Sequence, residues 1–81
     1  MNENLIKYLA YNLGISKSDL TCNIRKPKFI YARTIASKYM RKDMNFCVKE
    51  ICKVLNKSRF QVEFSLKNYE SIVDKFINTL N

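Results

Sequence analysis

One glycine and one proline in 81 residues are the tightest constraint on what this chain can become. All-β folds need frequent tight turns, and those turns draw on Gly and Pro. Their scarcity predicts long helices with few connections. A chain of 81 residues buries only about 60% of its unfolded surface, enough for one compact core. Residues 1–81 are therefore expected to form a single all-α domain of five to six helices. An apolar content of 47% is ordinary for a globular chain and speaks against disorder.

The apolar spacing places the helices. Leu5, Ile6, Leu9 and Leu13 share a stripe, predicting a first helix over Asn4–Leu13 that Gly14 stops in a left-handed conformation. Ser16 is a candidate cap for a short second helix, with Asp19 in its first turn and Ile15 and Leu20 as anchors. Residues 23–28 form a basic loop, in which Pro27 disfavours helix at Lys26 and suits the start of a third helix reaching Arg41. Ala32, Ile35, Ala36, Tyr39 and Met40 make the expected buried face of that helix, opposite Arg33, Lys38, Arg41 and Lys42. A turn over Lys42–Phe46 leads to a fourth helix, Cys47–Leu55, on which Val48, Ile51, Cys52 and Leu55 share one face. Asn56 and Lys57 are a tight turn, and Ser58 with Gln61 is a capping-box pair opening a fifth helix. Val62, Leu66, Tyr69, Val73, Phe76, Ile77 and Leu80 carry a stripe to the end of the chain, with a break near Asn68–Ser71 left open.

The formal charge of +8 is unevenly placed. Between Cys22 and Gln61 stand eleven basic residues and two acidic ones, a surplus of nine; the remainder holds four basic and five acidic residues. A concentrated positive region is the footprint expected of a phosphate-backbone partner, the alternative being a generally basic, soluble protein. The three cysteines, Cys22, Cys47 and Cys52, form no CxxC pair, and the chain has no histidine. A disulfide framework and a structural zinc site are not expected, nor is any cofactor. Cys47 and Cys52 read as small hydrophobes in or beside the core. No signal peptide or membrane span is visible, so the expected setting is the cytoplasm, at the nucleoid.

Residues 47–69 have the three features of a helix-turn-helix: facing apolar residues, a short turn, and a polar start to the second helix. Arg59 is a bidentate donor suited to guanine, and Gln61 is of a type suited to adenine. Against these stand an Arg59–Glu63 pair on the helix surface and a Gln61 that only completes the capping box. Phe60 has two readings, contact with a thymine methyl or packing under a neighbouring helix, the second favoured. Ser58 has the reach for a phosphate or a cap. Arg25 and Lys26 are placed to enter a minor groove, or else to stay solvated. Arg33, Thr34, Lys38 and Arg41 are the expected phosphate contacts.

The chain from Leu5 to Tyr69 resembles the C-terminal DNA-binding domain of the bacterial replication initiator DnaA, a Trp-repressor-like helical fold. The resemblance rests on Gly14-Ile15-Ser16 through Asp19-Leu20, on Ala32-Arg33-Thr34-Ile35-Ala36-Ser37-Lys38-Tyr39-Met40, and on Cys47-Val48-Lys49-Glu50-Ile51-Cys52-Lys53-Val54-Leu55, with no gap needed between Arg33 and Ile51. It implies a minor-groove role for Arg25 and phosphate roles for Arg33 and Thr34, and it sets Lys49 beside the DNA. Ser58, Arg59, Phe60 and Gln61 stand where the family carries Asp-His-Thr-Thr, its base-reading tetrad, and Val62 matches the core Val that follows. The family's Gly-Gly-Arg ahead of that tetrad is replaced by Asn56-Lys57, one residue shorter.

Non-catalytic binding of double-stranded DNA, by Arg25, Lys26, Lys28, Arg33, Thr34, Lys49, Lys57, Ser58, Arg59, Phe60 and Gln61, is the leading expectation. It suits a stand-alone regulator or replication accessory acting as a monomer or weak homodimer. The alternative is an interaction module for an acidic protein partner. No histidine, Gly-rich loop or spaced carboxylate pair in the basic region supports an enzyme.

Overall fold

The apolar stripe of the first thirteen residues folds as α1 (Asn2–Leu13), and in the computed structural model, which describes residues 2–80, five further helices follow. They are α2 (Lys17–Thr21), α3 (Pro27–Lys42), α4 (Val48–Leu55), α5 (Arg59–Lys67) and α6 (Tyr69–Leu80). The described residues contain no strand. None of these helices is long and apolar enough to cross a membrane.

Local chemistry sets most boundaries. Gly14 takes φ +70°, and the Ile15 N–H reaches back to the Ala10 carbonyl at 3.1 Å, the closing bond of a left-handed helix stop. Ser16 and Asp19 form a reciprocal capping box on α2. Pro27 occupies the first turn of α3, where its missing N–H is no loss. Asn56 closes α4 at φ 55°, and the Lys57 N–H bonds the Cys52 carbonyl at 3.1 Å, so an asparagine performs here the role Gly14 performs after α1. The second capping box, Ser58 with Gln61, restarts the chain as α5. The stripe that runs from Val62 to the C-terminus is broken at Asn68, whose side-chain amide donates to the Phe64 carbonyl at 3.0 Å. The side chain of Leu80, last in that stripe, lies outside the described residues.

α3 is the central element, in contact with α2, α4, α5 and α6, while α1 covers α2 and α4. Leu20, Met40, Ile51, Leu55 and Val62 are fully buried, each contributing about 1.5–3 kcal/mol relative to exposure. Ala32 and Ala36 are small enough to let neighbouring helices approach α3 closely.

Three expectations are corrected. Thr34, expected at a phosphate, is completely buried, and its hydroxyl donates to the Ile30 carbonyl at 2.8 Å. Ser37 is buried beside it, whereas Ile35 and Tyr39 are only half-buried. The reason is that α3 is wrapped by four helices, so burial spreads beyond its apolar stripe, and the short Thr34 hydroxyl is satisfied on its own helix. Cys47 is exposed at the start of α4, where the Glu50 carboxylate accepts its backbone N–H at 2.9 Å; Cys52 is the cysteine that packs against the core.

Candidate nucleic-acid interface

The C-terminus of α2 presents backbone carbonyls that no intrahelical N–H satisfies, and two cations from distant positions cap them. Arg33, from α3, donates through Nε to the Leu20 carbonyl at 3.1 Å and through Nη2 to the Asp19 and Cys22 carbonyls at 3.1 and 2.6 Å. Lys57, from the turn between α4 and α5, donates through Nζ to the Thr21 carbonyl at 2.8 Å, to the Cys22 carbonyl, and to Asn23 Oδ1 at 3.2 Å. Burial, and next the Arg33 guanidinium, draw the Lys57 ammonium below the ordinary lysine pKa, with the Cys22 thiol opposing. Arg33 was expected at a phosphate and Lys57 among the DNA-binding residues. Their donors are engaged inward instead, and they position the basic loop, residues 23–26, beside the start of α5.

Around this junction the remaining candidates point outward. Arg25, Lys26 and Lys28 are exposed on the loop and the first turn of α3, with the Lys26 ammonium 5.9 Å from the centre of the Phe29 ring. Arg41 and Lys42 end α3 in solvent, and Lys49 and Lys53 are exposed on α4. Lys38 is half-buried, its ammonium 5.1 Å from the centre of the Tyr69 ring.

At the start of α5 both sets of readings raised by the sequence meet their geometry. Ser58 Oγ accepts the Gln61 N–H at 3.2 Å, and Gln61 Oε1 accepts the Ser58 N–H at 3.1 Å, so the capping box engages both side chains. Arg59 pairs with Glu63 one turn on; the hydrogen bond to that carboxylate and its charge raise the arginine pKa, and the side chain is still 82% exposed. Phe60, expected to tuck under a neighbouring helix, is 77% exposed and stacks on Phe64, the ring centres 6.2 Å apart. Position decides this: Val62 takes the inward face of α5, and Phe60 lies two residues away on the outside.

Between the loop and α5 lies an open cleft of about 360 Å³. Arg25, Arg33 and Lys57 stand on its lining, as do Phe60 and Phe64, over an apolar floor that includes Ile30, Leu55 and Ile72. Among the described residues, no carboxylate lines it. Phe64, Ile30 and Ile72 were not among the expected site residues. The i,i+4 spacing of Phe60 and Phe64 was the available signal for the aromatic pair; nothing local announces that Ile72 returns to this cleft. Comparison with family models, with curated proteins and with solved structures finds no match for this chain.

Proposed function

We propose that the chain is a non-catalytic duplex-DNA-binding domain in which α4 and α5 act as a helix-turn-helix. On this reading α5 enters the major groove and the loop of residues 23–26 lies in the adjacent minor groove, as in a stand-alone relative of the DnaA C-terminal domain serving regulation or replication. The observation that carries the reading is the arrangement of cations. The surplus of nine between Cys22 and Gln61 includes exposed groups on the loop, α4 and α5, while Lys57 fastens the loop to the α4–α5 turn. Two separate basic elements are thereby presented together, as a ligand with regularly spaced phosphates requires.

The roles divide accordingly. Arg25, Lys26, Lys28 and Lys49 contact the backbone or minor groove, Arg59 and Phe60 meet bases, and Arg33, Thr34 and Lys57 hold the frame. The test is fluorescence anisotropy with random duplex DNA across a salt series. The logarithm of affinity should fall with the logarithm of salt at roughly −0.9 per phosphate contacted. An affinity that is undetectable at low salt, or flat in salt, overturns the proposal. The exposed apolar side chains Ile24 and Phe60 favour as second reading a module for an acidic protein partner, and that reading gains if the duplex series is negative.

A further inference from the structure

Most hydrogen-bonding groups at the start of α5 are already engaged within the helix. Arg59 is held by Glu63, and the Gln61 amide oxygen and Ser58 hydroxyl hold one another's helix cap. What projects instead is aromatic: Phe60 is 77% and Phe64 51% exposed, with their rings 27° from parallel. Two exposed phenylalanines on one helix face leave apolar surface in water that the fold itself does not cover. They stand on the lining of a cleft that also holds Arg25, and among the described residues no carboxylate lines it. A stacking surface beside a guanidinium suits an unpaired nucleotide, because every base has a π-face and the cation takes the phosphate.

We infer that this cleft receives a single unpaired nucleobase of otherwise duplex DNA, its ring on the Phe60–Phe64 face and its phosphate at Arg25. The inference rests on the DNA-binding reading and specifies the form of DNA preferred. A cleft of about 360 Å³ is at the small end of ligand sites, of a size for one nucleotide rather than a run of them. The exposed cations Lys49 and Lys53 on α4 and Arg41 and Lys42 on α3 do not line the cleft, and they provide for duplex on either side. Base pairing resists placing a base there, so a nucleotide that is already unpaired binds more tightly than a paired one.

The experiment compares the intact chain on three DNAs of matched sequence and length at one salt concentration: a fully paired duplex, the same duplex with one bulged thymine, and the single strand. The bulged duplex should bind about tenfold more tightly than the paired one. Phe60→Ala should erase that preference by weakening the bulged duplex about tenfold more than the paired one, and Phe60→Tyr should retain it. Circular dichroism establishes that each variant is folded. Equal, salt-dependent binding to the paired and bulged duplexes overturns the inference and leaves the DNA-binding reading standing. So does a Phe60→Ala variant that weakens both alike, since Phe60 is then an ordinary contact. A single strand that binds better than the bulged duplex overturns the duplex context. Failure of all three DNAs to bind removes both readings together.

Discussion

Two groups of cations in this molecule have the same chemistry and opposite uses. At the α2–α3 junction, Arg33 and Lys57 turn inward, and between them they engage the carbonyls of residues 19 to 22. A few residues away, Arg25 and Lys26 are exposed on the loop that this junction holds. The difference shows that a charge surplus measures neither binding capacity nor stability until each donor is assigned an acceptor. Part of the positive charge here replaces the hydrogen bonds that the short α2 leaves open at its C-terminus.

The comparison breaks most readily at Arg33. Arg33→Ala should destabilise the fold by about 3 kcal/mol in urea denaturation, because it strips three part-buried carbonyls of a charged donor. A loss below about 1 kcal/mol would mean that water replaces the guanidinium and that the inward group is not structural. Lys57→Met keeps the apolar stem and should remove about 2 kcal/mol, with faster amide exchange across residues 21–26 as the local sign. Ser58→Ala should lower stability by about 1 kcal/mol through loss of the α5 cap, and amide exchange at Gln61 should rise. Arg59→Ala, on the outward group, should shift stability by no more than about 0.5 kcal/mol. Its effect belongs in binding, where a selective loss on the preferred duplex would mark a base contact and a uniform loss a phosphate contact. The smallest effect is a pH dependence at the start of α4. The Cys47 N–H holds the Glu50 carboxyl below its usual pKa. A carboxylate whose folded pKa is depressed stabilises above its unfolded pKa, and that contribution disappears as pH falls through the folded value. Glu50→Gln should therefore show a shallower loss of stability below about pH 4.5 than the parent chain.

Much of the fold was legible because its determinants are local. Gly14, the Ser16–Asp19 and Ser58–Gln61 pairs and Pro27 each fix a helix end within a few residues of themselves, and all four act as their types predict. The end of α4 was legible for the same reason, since asparagine is among the few residues that adopt a left-handed conformation readily. What escaped reading is non-local. Arg33 sits 11 residues from Cys22 in sequence, and Lys57 sits 35 from it, and no periodicity reveals that both converge on one carbonyl. Thr34 was misplaced because a two-sided pattern of apolar and polar positions cannot represent a helix covered on most of its circumference. Phe60 was misplaced because apolar character favours burial only where a neighbouring element is there to cover it.

The left-handed Asn56 makes the turn between α4 and α5 short and stiff, and the next residue reaches across to Asn23. A turn tied at its midpoint transmits displacement. Lys57 thereby ties the α4–α5 turn to the end of α2 and to the first residue of the 23–26 loop. The two ends of the surface therefore behave as the jaws of a fixed-gap gauge rather than as two fingers. On the proposed DNA-binding reading, a duplex whose groove spacing differs from that gap must itself deform to be held.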